Sequence, residues 1–447
     1  MSHQITRSSG YLAVFAALLL AGCSGGTSSV TPPRSEPPQT ASALMTPQQY
    51  HVIALSSLGG AVAAGISDND LGAISGYSLL SDNATLHAAL WYPGSTSAID
   101  LGTLGGVNSA VEWPNHALGE VVGISQTSQI DPLKEQWSCS YPAGSGFLPY
   151  TGQECRGFVS RFNRMRQLGT LGGNNSFATG SNIFGEVVGW AETSKRDPTC
   201  VAPQVLGFEA VRWGLEGDAH ALPPLGQDPA SAATAINDVG SVVGISGLCQ
   251  NAVGALSAEH MVLWKDGIPR QLPTLGGSAW NTPMMLNDEG AVVGFSDRPG
   301  DNNGNNFNGH AFLWTSRNGT TDLGTLAGDA VSYAYSINNR NQIVGQSCTP
   351  GCASSRAFLY QHGTMYDLNT LLDSSSAGYS LIFANDINDE GTITGLAVSG
   401  AGSILAFRLV PNGGWSGSTM GASREGRSLP FRLRAGAFGR IMPNLTH

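Results

Sequence analysis

Charge is scarce in this chain of 447 residues: Asp, Glu, Lys and Arg together make up 12%, about half the usual share of a soluble domain, roughly 25%. The 22 basic residues are spread thinly among 32 acidic ones. A duplex binder needs Lys and Arg gathered on one face to displace counterions, so nucleic acid is excluded as a partner. No stretch keeps a helical period of apolar residues, which argues against a helical or α/β fold. Only seven cysteines occur and none forms a Cys-x-x-Cys pair, so a structural zinc site is not expected. Long apolar runs are also missing, apart from ten residues between Tyr11 and Leu20, too few to span a bilayer as a helix. What the chain has in excess is glycine, 59 residues without a collagen period, the mark of many tight turns. Its hydrophobic content of 41% suffices for a folded core.

The apolar run follows Arg7 and leads into Leu20-Ala21-Gly22-Cys23. A cysteine directly after two small residues resembles the lipobox of bacterial lipoproteins, which implies removal of residues 1–22 and acylation of Cys23. Several acyl chains hold where one would be marginal. Ser24 after the cysteine, in that resemblance, implies the outer membrane, so the expected location is the bacterial cell envelope, facing periplasm or exterior. Residues 23–47, with Pro32, Pro33, Pro37 and Pro38, read as the lipidated cysteine and a flexible tether.

From 48 to 410 three signatures recur seven times in fixed order. A Leu-x-x-Leu-Gly-Gly-like segment starts at Leu55, Leu101, Leu168, Leu222, Leu272, Leu323 and Leu368. A Val-Val-Gly strand ends at Gly76, Gly123, Gly189, Gly244, Gly294, Gly345 and Gly395. The third resembles His-Ala-Phe-Leu-Trp and is complete at His310 to Trp314. Turns such as Asp266-Gly267 then make hairpins, giving four short strands per unit. Such a sheet cannot bury both faces alone, so units must stack. The chain opens with a lone fourth strand, Tyr50 to Leu55, and the last unit ends on a third, Leu405 to Val410. Joining the two closes a ring, so the expected fold is all-β, a seven-bladed β-propeller sealed by its N-terminal strand. Residues 411–447, with five arginines against Glu425, read as a basic disordered tail able to touch lipid or lipopolysaccharide phosphates.

The His-Ala-Phe-Leu-Trp segment, followed by Asp322-Leu323-Gly324-Thr325-Leu326, resembles the HAF extracellular repeat family of bacterial surface proteins. The resemblance implies location and repeat pattern, not an activity. Residues that recur in every blade have blade-building as their first explanation. The Gly-Gly pairs read as turns, Asn69, Asn182, Asn237, Asn287, Asn338 and Asn388 as Asx turns, and His87, His260 and His310 as strand-edge hydrogen-bonding residues. Irregular inserts at 126–154, 193–207, 247–259 and 297–309 fall on one face of the ring, where binding tends to reside. Trp137, Tyr141, Tyr150, Asp297, Arg298, Asp301, Asn302, Asn303 and Asn305 are the ligand-contact candidates there. Asp301, Asn303 and Asn305 are also oxygen donors for a calcium ion, although they lack the EF-hand spacing, and no other cofactor or metal is expected. An exported domain favours disulfides, Cys139 with Cys155, Cys200 with Cys249 and Cys348 with Cys352. Glu112 and Asp386 are the acids found on the inner strands, a candidate pair for glycoside cleavage across the channel. The sequence therefore favours a lipid-anchored, non-catalytic binding or scaffolding module for an envelope protein or glycan. A surface-glycan hydrolase or lyase is the alternative.

Overall fold

The computed structural model describes residues 48–115, 119–135, 151–250, 254–300 and 307–413. Seven four-stranded antiparallel sheets follow one another along the chain. Blade 1 is β2 (Gly59–Asp68), β3 (Ile74–Leu80), β4 (Leu86–Trp91) and β5 (Ile99–Asp100). Blade 2 is β6 (Gly105–Ala110), β7 (Glu120–Ile130), β8 (Gln153–Arg161) and β9 (Arg164–Gln167). Blade 3 is β10 (Gly172–Ser181), β11 (Val187–Arg196), β12 (Leu206–Trp213) and β13 (Ala219–Leu222), and blade 4 is β14 (Ala230–Ile236), β15 (Val242–Gly247), β16 (His260–Lys265) and β17 (Ile268–Leu272). Blades 5 and 6 run β18 (Thr282–Leu286) to β21 (Gly319–Asp322) and β22 (Val331–Ile337) to β25 (Thr364–Asp367). Blade 7 joins β26 (Tyr379–Ile387), β27 (Ile393–Ser399) and β28 (Ile404–Pro411) to β1 (Tyr50–Leu55) from the other end of the domain, with Tyr50 opposite Pro411 and Leu55 opposite Ala406. The chain is a seven-bladed β-propeller closed by its N-terminal strand. No helix among the described residues is long and apolar enough to cross a membrane.

The repeated residues have local causes. In all blades but the second the inner strand carries a bulge about three residues before its turn asparagine, for instance between Ala233 and Ala235. The glycine of each Val-Val-Gly strand lies against the neighbouring inner-strand carbonyl: a Cβ on Gly244 would sit 2.0 Å from the Ala232 oxygen. The Gly-Gly pairs open the inner strands, the first at positive φ (Gly105, 98°) and the second, such as Gly106, pressed on the adjacent strand. The buried indoles of Trp91, Trp213 and Trp264 donate to carbonyls of Ser56, Gly169 and Pro223. His87, His260 and His310 each hold a carboxylate, Asp100, Asp228 and Asp322, at 2.8 to 2.9 Å.

The turn asparagines do more than cap. Each amide oxygen accepts N–H groups of its own turn, as Asn237 does from Ser241. Each Nδ2 donates to the backbone carbonyl of the corresponding asparagine one blade on: Asn182 to Asn237, Asn237 to Asn287, Asn287 to Asn338, Asn338 to Asn388 and Asn388 to Asn69. One residue further out, the N–H of Asp238 bonds Asp288, that of Asp288 bonds Asn339, and that of Asp389 bonds Asp70. A double belt of hydrogen bonds thus runs from blade 3 round to blade 1 at the face carrying the first-to-second strand turns.

Candidate functional site

Strand polarity sends the second-to-third and fourth-to-first connections to one face, so the inserts do share a side. The strands reach further into them than the repeat suggests, β7 to Ile130 and β11 to Arg196. Trp137, Tyr141, Tyr150, Cys139, Asp301, Asn302, Asn303 and Asn305 lie outside the described residues, as do Cys23, the tether and the tail from 414. The rest of this face is braced from blade to blade. Asp131, at the root of the blade 2 insert, accepts the N–H groups of Leu133 and Glu135. Glu135 then reaches into blade 3, its Oε1 accepting the N–H groups of Val205 and Leu206, both at 2.7 Å. There it meets Glu192 of β11, which accepts the N–H groups of Asn174 and Asn175 at 2.9 Å. The Gln204 amide donates to both carboxylates.

Asp131, Glu135 and Glu192 are all buried. Burial, then the nearby Glu135, pushes Glu192 up to about 8, and Glu135 is raised by burial as well. The Glu135–Glu192 pair therefore holds a proton at neutral pH. Between its ordinary value near 4.5 and about 8 the folded chain holds a proton that the unfolded chain has released. Stability should fall as pH rises through that window, by up to roughly 1.4 kcal/mol per pH unit, and level off above it. Urea unfolding from pH 5 to 9 measures this, and Glu192→Gln should flatten the slope. A Glu192→Gln profile as steep as that of the parent would place the proton elsewhere.

Blade 3 is tied to blade 4 by the disulfide Cys200–Cys249. Beside it Val201 donates to the Gln250 carbonyl and Gln250 to that of Thr199. Asp197 approaches the same two sulfurs, but sulfurs bonded to each other offer no thiolate to a metal. Cys155 is disulfide-bonded as expected of it. The third expected disulfide requires correction: Cys348 and Cys352 are free thiols. Pro350–Cys352 form a 3-10 turn with Cys352 at φ 49°. That turn presents the sulfurs to each other as hydrogen-bonded thiols, which with burial holds Cys348 well above its usual range. Further round, Phe307 stacks on Tyr333 at 4.8 Å. Asp297, expected to meet ligand, is fully buried and accepts the N–H of Asn308. Arg298 donates to the Asn308 carbonyl and stays half-exposed.

The two inner-strand acids have unlike environments. Asp386 is buried, its Oδ2 accepting the N–H of Asp68 in blade 1 and its Oδ1 the hydroxyl of Ser336 in blade 6. It knits three blades together. Glu112 is part-buried in blade 2 with a buried Oε1 that has no hydrogen-bond partner among the described residues, and burial alone raises its carboxyl well above the usual range. Trp113, beside it, packs edge-on against Phe177 and Trp190 at 6.0 and 5.8 Å. A third inner acid, Asp68, which the sequence reading did not single out, closes β2 and lies near Arg408. A cavity of about 250 Å³ opens on the opposite face, rimmed by Asp70, Asn115, Asp238, Asp288 and Asn339 of the belt.

A family model described as a protein of unknown function (DUF3466) matches residues 226–404, blades 4 to 7. That match corrects the HAF-repeat resemblance. The histidine and the buried tryptophan that carried it serve blade geometry, holding a carboxylate and donating to a neighbouring loop carbonyl, so they mark the architecture and not that family. No curated protein matches the chain by sequence. Among solved structures the chain is similar to the crystal structure of Porphyromonas gingivalis dipeptidyl peptidase 4, with a TM-score of 0.32 and 10% identity over 75% of this chain and 50% of that one. The chain thus spans about half the length of that protein, and no reading of activity follows from the likeness.

Proposed function

We propose that the chain is a lipid-anchored protein of the bacterial cell envelope whose propeller captures an envelope protein or glycan on the insert face. The observation carrying this reading is the bracing of that face. Glu135 fastens the blade 2 insert to blade 3, and Cys200–Cys249 fastens blade 3 to blade 4. Irregular loops held in fixed register cost little ordering entropy on binding, which is what a recognition platform requires. The lipobox-like Cys23 supplies the anchor in this reading.

A glycan and envelope-component array probed with the mature chain tests it, with calcium present or chelated. A specific hit should weaken about tenfold in a Cys200→Ser, Cys249→Ser double variant, because loosening two loops costs about 1 to 2 kcal/mol of ordering on binding. A hit indifferent to that change would move the site off the platform. One observation favours the second reading, a glycan-active enzyme: burial raises the Glu112 carboxyl well above the usual range, the direction a general acid needs. Loss of a detected cleavage in Glu112→Gln, with capture unchanged, would select that reading.

A further inference from the structure

Eight of the eleven large apolar side chains exposed among the described residues lie on the face opposite the inserts, at turns from first to second or third to fourth strands. Blade 1 contributes Leu71 and Tyr92, and blade 2 contributes Phe162. Blade 3 adds Ile183, Phe184 and Leu215, and blade 4 adds Val239 and Ile268. In blades 5 to 7 the first-to-second turns read Asp288-Glu289, Asn339-Arg340 and Asp389-Glu390 instead. The exposed apolar residues of this face thus belong to four consecutive blades, where they stand among charged neighbours such as Asp70, Arg161, Glu216 and Asp238, whereas the turns of the other three blades offer charge instead.

Hydrogen bonds tie several of these turns to their neighbours in the next blade. Tyr92 bonds Asn163 beside Phe162, Arg166 of blade 2 donates to the carbonyls of Leu215 and Glu216 in blade 3, and Ile183 donates to Asp238 beside Val239. Phe162 is 79% exposed and stands at φ 52°, a left-handed turn position suited to Gly or Asn. A phenylalanine there carries backbone strain and buries little of its ring. Fold stability does not account for it. A clustering of exposed apolar side chains on one face marks an interaction surface.

We propose that this face rests on the lipid surface of the membrane, with Phe162 and Phe184 entering the headgroup layer. Fourth strands run from the turn face to the insert face, so β1 begins on the patch side at Tyr50, and the chain from Cys23 reaches the domain there. The inference rests on the lipid-anchor reading of Cys23 only for what brings the domain to a membrane. A net charge of −10 disfavours electrostatic recruitment, so the contact is apolar insertion, while the Arg161 guanidinium stays on Glu120 and that of Arg166 on the Leu215 and Glu216 carbonyls. The insert platform then faces away from the bilayer.

The test is flotation of the full chain with phosphatidylethanolamine and phosphatidylglycerol vesicles, in the parent and a Cys23→Ser variant, alongside the mass of the N-terminal peptide. Acylation mass decides the anchor and Cys23→Ser flotation decides the docking. The Cys23→Ser chain should still float, at high salt as well, and Phe162→Asp with Phe184→Asp should cut its partitioning by roughly tenfold or more, since each ring is worth more than 1 kcal/mol when taken from water. Val107→Asp with Val201→Asp, exposed on the insert side, should leave it unchanged, and all variants should share one melting temperature. Absence of flotation in the Cys23→Ser chain, equal loss from both pairs, or a dimer that the Phe162→Asp, Phe184→Asp pair dissociates would overturn the docking. Flotation with an unacylated Cys23 that the Phe162→Asp, Phe184→Asp pair abolishes would uphold it and remove the anchor, and flotation that this pair leaves unchanged would assign it to the retained apolar run at residues 11–20 and overturn the docking.

Discussion

A mature chain beginning at Ser56, without β1, should lose most of its stability and its monomeric state. β1 buries Tyr50, Val52 and Leu55 to 5% exposure or less and pairs along its whole length with β28. Three buried side chains at about 1.5 to 3 kcal/mol each amount to roughly 6 kcal/mol, comparable to the whole stability of a typical domain. The unpaired β28 would also present an open edge ready to pair with another molecule. Thermal unfolding and size-exclusion chromatography measure both effects. A monomer with an unchanged midpoint would mean that the ring draws its closure from somewhere other than β1.

Gly345→Ala should destabilise the protein by about 3 to 5 kcal/mol, the range of severe overpacking. Its Cβ would lie 1.9 Å from the Tyr333 carbonyl oxygen and 2.9 Å from the Phe358 ring. The obstacle is backbone, and the bulged inner strand that supplies it is itself pinned by its neighbours. Gly351→Ala makes the contrast: Gly351 has φ 69° and nothing within 4 Å of its Cβ position, so only the strain of a left-handed alanine, about 1 kcal/mol, is expected. Denaturant midpoints of the two variants separate close approach from dihedral strain. Equal losses would show that the Val-Val-Gly glycine is kept for its dihedral freedom.

The architecture was legible because a propeller writes the same local demands seven times. Gly345 and its six counterparts face the same carbonyl, the turn asparagines feed the same belt, and the split seventh unit announced the ring closure. The insert face was less legible because its bonds join residues with no repeated counterpart. Glu135 finds Val205 and Leu206 across an irregular insert, and no spacing rule connects them. A signal for Glu192 was present all the same: it stands three residues after Gly189, where the other blades have Leu79, Gln126, Gly247, Asp297, Cys348 and Val398. A residue varying in polarity at a fixed register position marks where a blade departs from its siblings. Asp297 occupies that position too, which is why it is buried and not displayed. Phe162 and Phe184 were visible as aromatics in turn slots, but only the ring brings them to one face with Tyr92 and Leu215.

The pairing of Tyr50 with Pro411 also sets an order of events in folding. Every other strand finds its partner within its own blade, a local search that can proceed as each blade is formed. β1 has to wait until β28 exists and the six other blades have curved enough to bring the two together. Until then its apolar face and ladder groups are unsatisfied. Registration of β1 is therefore the last step, and the partly assembled ring, with one free strand and one free edge, is the species most exposed to aggregation.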